Sequence, residues 1–432
     1  MNRMLYVYKS MLNKLQNVPV TTGRRDLVIF GILVCMLVSM FFSRAVLSIS
    51  MIAFVAVSFF HPAIKEQFRR FFCSPLLWGM SLLFFVPLLS GLWSEDQPAW
   101  RETMQVKLPL LFFPLAFAGS FNFSRKLWEW LAFMFIGIVT AATAWSLFHY
   151  IADPATVNEG YLRSKSLMTA LENDHVRFSW LVSVAILTGM CILYKKRKGP
   201  RITIILLSFV LAWLIIFLHL LAARTGLFSF YIMLFLVAGW FIYKKMQWRY
   251  GVGLLVLLLI LPVAAYLLVP TFQNRVKYFY YDLGYSREAN YLPGANDAVR
   301  VISLKAGYAV IKDNPVKGVG FGDLLNKTKN WYWTHYPQME ERDQIYPSSE
   351  WLIYGAGAGI PGLIIFSVSM LIPFFIRTRT RPAWMILNLI AAGSFLFDIG
   401  LEVQFGVFIY AFVILSWWKY GSTALPVANE VE

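Results

Sequence analysis

Charge is scarce in this chain. Of its 432 residues only 14% are Asp, Glu, Lys or Arg, where a soluble globular protein carries about a quarter. Cysteine is scarcer still: Cys35, Cys73 and Cys191 fall in or beside apolar segments without metal-ligand spacing. A disulfide scaffold and a cysteine metal site are therefore excluded. The polar low-complexity tracts of a disordered chain and the glycine period of collagen are missing too. What is abundant is apolar surface, with 58% hydrophobic residues and 17% aromatic. A soluble fold of this size would have no interior large enough to bury it, so the composition specifies an all-α polytopic membrane protein.

The formal net charge is +16. In a soluble domain such an excess points to nucleic acid. Here no basic face with interleaved aromatics stands free of the apolar segments, so nucleic acid is excluded as a partner. The bilayer explains the excess, because basic residues gather in cytoplasmic loops against anionic headgroups.

A helix needs about 20 apolar residues to cross the hydrocarbon core. Twelve segments meet or approach that length: 27–43, 45–60, 76–93, 107–121, 127–151, 176–194, 202–222, 225–243, 251–269, 351–376, 383–399 and 402–418. Their unbroken runs lack the alternation of barrel strands. The first run follows Arg24 and Arg25 without a small-residue cleavage site and reads as an anchor. Loops of one parity are basic: HPAIKEQFRR (61–70), NFSRK (122–126), YKKRKGPR (194–201), YKKMQWR (243–249) and RTRTR (377–381). A loop of the other parity, SEDQPAW (94–100), is acidic. Both termini are thus expected in the cytoplasm.

The expected organisation is a cytoplasmic segment (1–26), nine spans (27–269), a large external loop (270–350), three spans (351–418) and a cytoplasmic tail (419–432). The external loop is out of scale for a connection and is dense in aromatics. Within it, Asn296 or Asp297 can cap a helix from Ala298 to Lys312, ended by Asn314-Pro315. Val299, Ile302, Ala306, Ala309 and Val310 recur along that helix at amphipathic spacing.

Arg224 lies between two apolar spans in LLAARTGLFSF, where a guanidinium near hydrocarbon costs on the order of 3 kcal/mol. It either snorkels from a turn helped by Gly226 or grips an anion with its fork. Arg300, near the start of the loop helix, is either solvated or a second contact to the same anion, aided by the free N–H groups of the helix terminus. GVGFG (318–322) lacks the Lys-Ser/Thr of a P-loop and reads as a turn. The glycines of YGAGAGIPG (354–362) suit close packing or a helix break. Candidate general bases on the external side are His335, His175, Glu350, Asp343 and the Glu340-Glu341 pair. Trp331, Trp333 and Tyr336 offer sugar-stacking surfaces or interface anchors. Asp398 and Glu402 sit in apolar surroundings, where each needs a partner.

Taken in order, several of these segments resemble the O-antigen ligase and O-antigen polymerase superfamily. They are Arg224-Thr225-Gly226, the Arg300 helix leading into KDNPVKGVGFGD (312–323), YPSSEWLIYGAGAGIPGL (346–363) and LEVQFGVFIYAF (401–412). The resemblance implies a multi-pass inner-membrane glycosyltransferase acting on the periplasmic face without cofactor or metal. The donor would be a glycan on undecaprenyl diphosphate. The acceptor would be lipid A–core in a ligase or another lipid-linked repeat in a polymerase. Arg224 and Arg300 would hold the diphosphate. The family's ligases usually carry Pro-His-Asn where the long loop ends, and this chain reads Pro347-Ser348-Ser349. A serine is no base near neutral pH. Either Glu350 or His335 takes that role, or leaving-group stabilisation carries the reaction. A lipid-linked-oligosaccharide transporter is the rival from another class, but internal repeats and midplane ionisable residues are absent from the sequence.

Overall fold

The computed structural model describes residues 23–422, apart from 173, 198, 245–247, 289–290, 294–295 and 379. Most of both terminal segments, and parts of three basic loops, lie outside the described residues. Among those described, the chain is helical and contains no strand.

The first apolar half comprises α1 (Arg24–Ser39), α2 (Arg44–Phe59), α3 (Ile64–Cys73), α4 (Pro75–Ser90), α5 (Gln97–Lys107), α6 (Pro109–Phe117), α7 (Arg125–Ala152) and α8 (Pro154–Tyr161). It continues through α9 (His175–Lys195), α10 (Arg201–Leu221), α11 (Arg224–Tyr243) and α12 (Trp248–Leu268). The long connection folds into α13 (Pro270–Glu288), α14 (Asn296–Asp313) and α15 (Leu324–His335), and α16 (Glu350–Phe375), α17 (Arg381–Phe395) and α18 (Gln404–Ser422) close the chain. Local chemistry starts many of these helices. Ser43, Asp96, Ser124, Asp153 and Asp174 each accept a first-turn N–H, satisfying a donor the helix itself leaves free.

All twelve apolar segments are helical, but they differ in reach. Among the described residues, α7, α9, α10, α11, α12 and α16 are long and apolar enough to cross a bilayer. The bent pair α2–α3, turned by 107°, makes a seventh if it is one span. The remaining apolar helices run from 9 residues in α6 to 19 in α18. Helix α9 is central: 72% of its apolar window is buried, against α7, α10, α11, α17 and α18. Helix α12 is the opposite case, at 11% buried. Its outward Leu259 and Leu267 suit a lipid surface.

The glycine-rich segments meet each other. Helix α16 breaks at Ala358 and Gly359, the latter at φ 69°. The 318–320 stretch lies along the break, with Val319 N–H donating to Ala356 O (2.9 Å) and Gly320 N–H to Gly357 O (2.9 Å). Ile360 N–H donates in turn to Pro315 O (2.8 Å). A Cβ on Gly318, at φ 67°, would stand 2.5 Å from Ala356 O, so only glycine fits. The GVGFG segment is thus more than a turn: its amides satisfy carbonyls that the broken helix leaves open. Asp323 then ties it to the acidic loop, accepting from Glu95 N–H (2.7 Å) and Asp96 N–H (3.0 Å).

Candidate anion site

The turn from α10 into α11 is made by Ala222, which adopts a left-handed φ of 46°. Gly226 serves a different end from helping that turn. A Cβ there would lie 2.5 Å from Ser179 Cβ, so its bareness lets α11 press onto α9. Ser183 Oγ reinforces the contact by donating to Gly226 O (2.9 Å). This packing presents Arg224 at the first position of α11, 38% exposed.

Arg224 reaches the loop helix, where its guanidinium pairs with Asp297. Its Cζ also stands 5.2 Å over the Phe279 ring, a cation–π contact. Asp297 and Arg300 are three residues apart on α14, hence neighbours on one helix face. Arg224 and Arg300 are thus brought to the same end of the same helix. Arg300 is half-buried and has no carboxylate within ion-pair distance among the described residues. Its charge nevertheless acts on Asp398.

The free N–H groups expected at the start of α14 are not free. Asp282, fully buried on α13, accepts from Asp297 N–H (2.7 Å) and Ala298 N–H (3.4 Å). The helix terminus is already neutralised by the protein's own carboxylate, so it offers a substrate no anion site of its own. Burial pushes the Asp282 carboxyl above its ordinary range and the Asp297 charge adds to the rise, while those N–H bonds oppose it. Asn296 and Asp297 lie inside the first turn, and Asp282 supplies the cap.

Ser348, at the end of the long connection, packs against α14. Ser303, one turn beyond Arg300, places its Oγ 2.9 Å from Ser348 Oγ and accepts from Ser348 N–H at 3.1 Å. Residues 209–367 match the family model described as O-antigen ligase. That match supports the O-antigen ligase superfamily for this part of the chain. No curated protein matches the chain. The match and the apolar helices together support a multi-pass membrane protein, and the match supports an O-antigen ligase- or polymerase-like function in general.

The other predicted site residues of the chain are dispersed. Glu350 is fully buried at the start of α16. Its Oε1 accepts from Leu401 N–H at 2.5 Å, and its Oε2 has no hydrogen-bond partner among the described residues. Lys107 grips the same residue from the other side, donating to Leu401 O (2.9 Å) and pairing with Glu402 Oε1 (2.6 Å). Glu350 therefore belongs to a buried charged cluster under residues 400–402. His335 is exposed, and its ring stacks on Trp331 at 4.3 Å and 17° while Nδ1 lies 3.0 Å from Trp331 O. Both contacts stay within α15. Trp331 and Tyr336 pack against Val299, Ile302 and Tyr332, whereas Trp333 is 58% exposed and leaves its ring available.

Sequence reasoning overlooked several groups in this region. Asp398 finds its partner in Arg177 (3.2 Å), which also pairs with Asp174 (3.4 Å). Arg177, Thr225 and Asp398 line a small cavity of about 30 Å³. Lys107 is the unforeseen partner of Glu402, and Asp282 the unforeseen helix cap.

Proposed function

We propose that this site transfers a glycan from undecaprenyl diphosphate to an acceptor sugar hydroxyl at the periplasmic face of the inner membrane. The acceptor is lipid A–core, as in a ligase; the twelve helical segments carry the chain through the bilayer, and 270–350 covers the site. One observation supports this reading most: Arg224, from a membrane helix, reaches the first turn of the loop helix that bears Arg300. Two cations held on separate rigid elements suit a diphosphate, whose oxygens accept from guanidinium forks.

In the reaction the acceptor oxygen bonds to the anomeric carbon as the bond from that carbon to the diphosphate oxygen breaks. The electron pair leaves with the diphosphate, and the hydroxyl proton is released. Negative charge grows on the leaving group, where Arg224 and Arg300 stabilise it. A preorganised donor of this kind is worth about 10²–10³ in rate. Neither Glu350, sealed around Leu401, nor His335, stacked within α15, contacts the arginines. Leaving-group stabilisation accordingly carries the larger share of catalysis in this proposal.

The test is a reconstitution. Purified protein is incubated with undecaprenyl-diphosphate-linked glycan and with lipid A–core or a second lipid-linked repeat. Glycosylated lipid A–core supports the ligase, elongated lipid-linked polymer would make it a polymerase, and no joined product with either acceptor would overturn the proposal. Arg224→Ala and Arg300→Ala should each abolish the product at normal membrane levels.

A further inference from the structure

Helix α13 turns one face toward the Arg224–Asp297 pair. Phe279 lies under Arg224, and Asp282 holds the first amides of α14. One turn before Phe279, on the same face, stands Arg275. Its guanidinium lies 4.9 Å over the Tyr161 ring, and Nη2 donates to Ser166 Oγ (2.7 Å) and Lys165 O (3.2 Å). Its Nε is buried and has no hydrogen-bond partner among the described residues. Asp297 Oδ2, across the same site, is likewise buried and unpartnered.

The charges do not balance. Among the described residues Arg275 has no carboxylate within ion-pair distance, and neither does Arg300. Asp297 alone answers Arg224, and Asp282 is committed to backbone amides. Burial draws the Arg275 guanidinium below its usual range, the nearby Arg224 charge adds to that fall, and Tyr161, Tyr278 and Asp297 oppose it. A desolvated cation without a counterion is costly. A ligand bearing about two negative charges would restore neutrality.

We propose that Arg275 is a third anion-binding residue, its Nε–H donating to the second phosphate of a lipid diphosphate held by Arg224 and Arg300. This rests on the donor-binding reading above and extends it. The ligand takes the place of Asp297 on Arg224, and Arg275 confers a preference for diphosphate over monophosphate headgroups. The competing role is structural, because the Nη2 contacts also pin residues 165–166 to α13.

Calorimetric titration of the purified full-length protein in nanodiscs with farnesyl diphosphate and farnesyl monophosphate separates these roles. Arg275→Gln should weaken diphosphate binding at least about tenfold and monophosphate binding less than about threefold. Arg275→Lys, which keeps the charge, should recover part of the preference even if the Gln variant folds poorly. Ser166→Ala, which removes a loop contact and leaves the guanidinium, should bind both probes as the wild type does. Wild-type diphosphate binding by Arg275→Gln, with binding lost in Arg224→Ala and Arg300→Ala, would refute the third residue alone. So would a Ser166→Ala variant that reproduces the loss. Wild-type binding by the Arg224 and Arg300 variants would instead overturn the donor site on which the inference rests.

Discussion

Lys107→Met should unsettle the protein more than any surface change of charge. Lys107 is wholly buried, 2.6 Å from Glu402 and 2.9 Å from Leu401 O, and its ammonium stands 5.3 Å from the Tyr354 ring centroid. Methionine fills similar volume but leaves Glu402 and Glu350 facing each other without a cation. Breaking a buried pair from one side costs about 3–5 kcal/mol, mostly as the penalty of the stranded charge. With an unfolding entropy of about 2.1 cal/mol/K per residue over 432 residues, that corresponds to a fall of about 3–5 °C in midpoint. Fluorescence-detected thermal unfolding of detergent-purified protein reads the shift. The companion Lys107→Met/Glu402→Gln, which removes the stranded charge, should recover more than half of it. An unchanged midpoint in the single variant, or no recovery in the double, would refute the claim that these charges compensate one another.

Other outcomes follow from the same geometry. Asp297→Asn removes the charge that occupies Arg224 and should tighten farnesyl diphosphate binding several-fold in titration calorimetry. Asp282→Ala strips the acceptor from the first amides of α14 and should lower thermal stability by about 1–3 kcal/mol, because buried donors are left unsatisfied. Gly359→Ala places a Cβ 2.6 Å from Pro315 O at a left-handed φ and should reduce the yield of folded protein on gel filtration. His335→Ala, which removes an exposed ring stacked on Trp331, should keep at least half of the transfer activity in the reconstituted assay.

How much of this was legible in the sequence depended on the range of the interactions. Helix α14 was legible because its apolar positions repeat at helical spacing, and Val299, Ile302, Ala306 and Val310 are indeed buried. The glycines of 354–362 suited either close packing or a break, and a break occurs at Ala358–Gly359. Helices α13 and α15 were not legible, because their aromatic and basic residues interrupt any clean period. Arg224 and Arg300 stood out through their setting and motif order. Their shared helix end rests on Asp297, 73 positions from Arg224, which no local pattern could nominate. The same holds for Lys107 and Glu402, 295 positions apart, and for the Asp323 clamp on Glu95, 228 positions away. The free helix terminus expected at α14 failed for a related reason: the carboxylate that fills it comes from the preceding helix. Among the described residues six helices are long and apolar enough to cross a membrane, and apolar content alone does not reveal where a shorter one such as α6 stops after 9 residues.

The central claim is that Arg224 and Arg300 converge on one pyrophosphate. An experimental structure of the protein with a bound polyprenyl diphosphate tests it most directly. The account predicts the diphosphate between the start of α11 and the first turns of α14, with both guanidiniums within hydrogen-bond distance of its oxygens and Asp297 released from Arg224. A diphosphate seated elsewhere, for example at the Lys195 and Lys196 end of α9, with the Arg224–Asp297 pair intact, would contradict it.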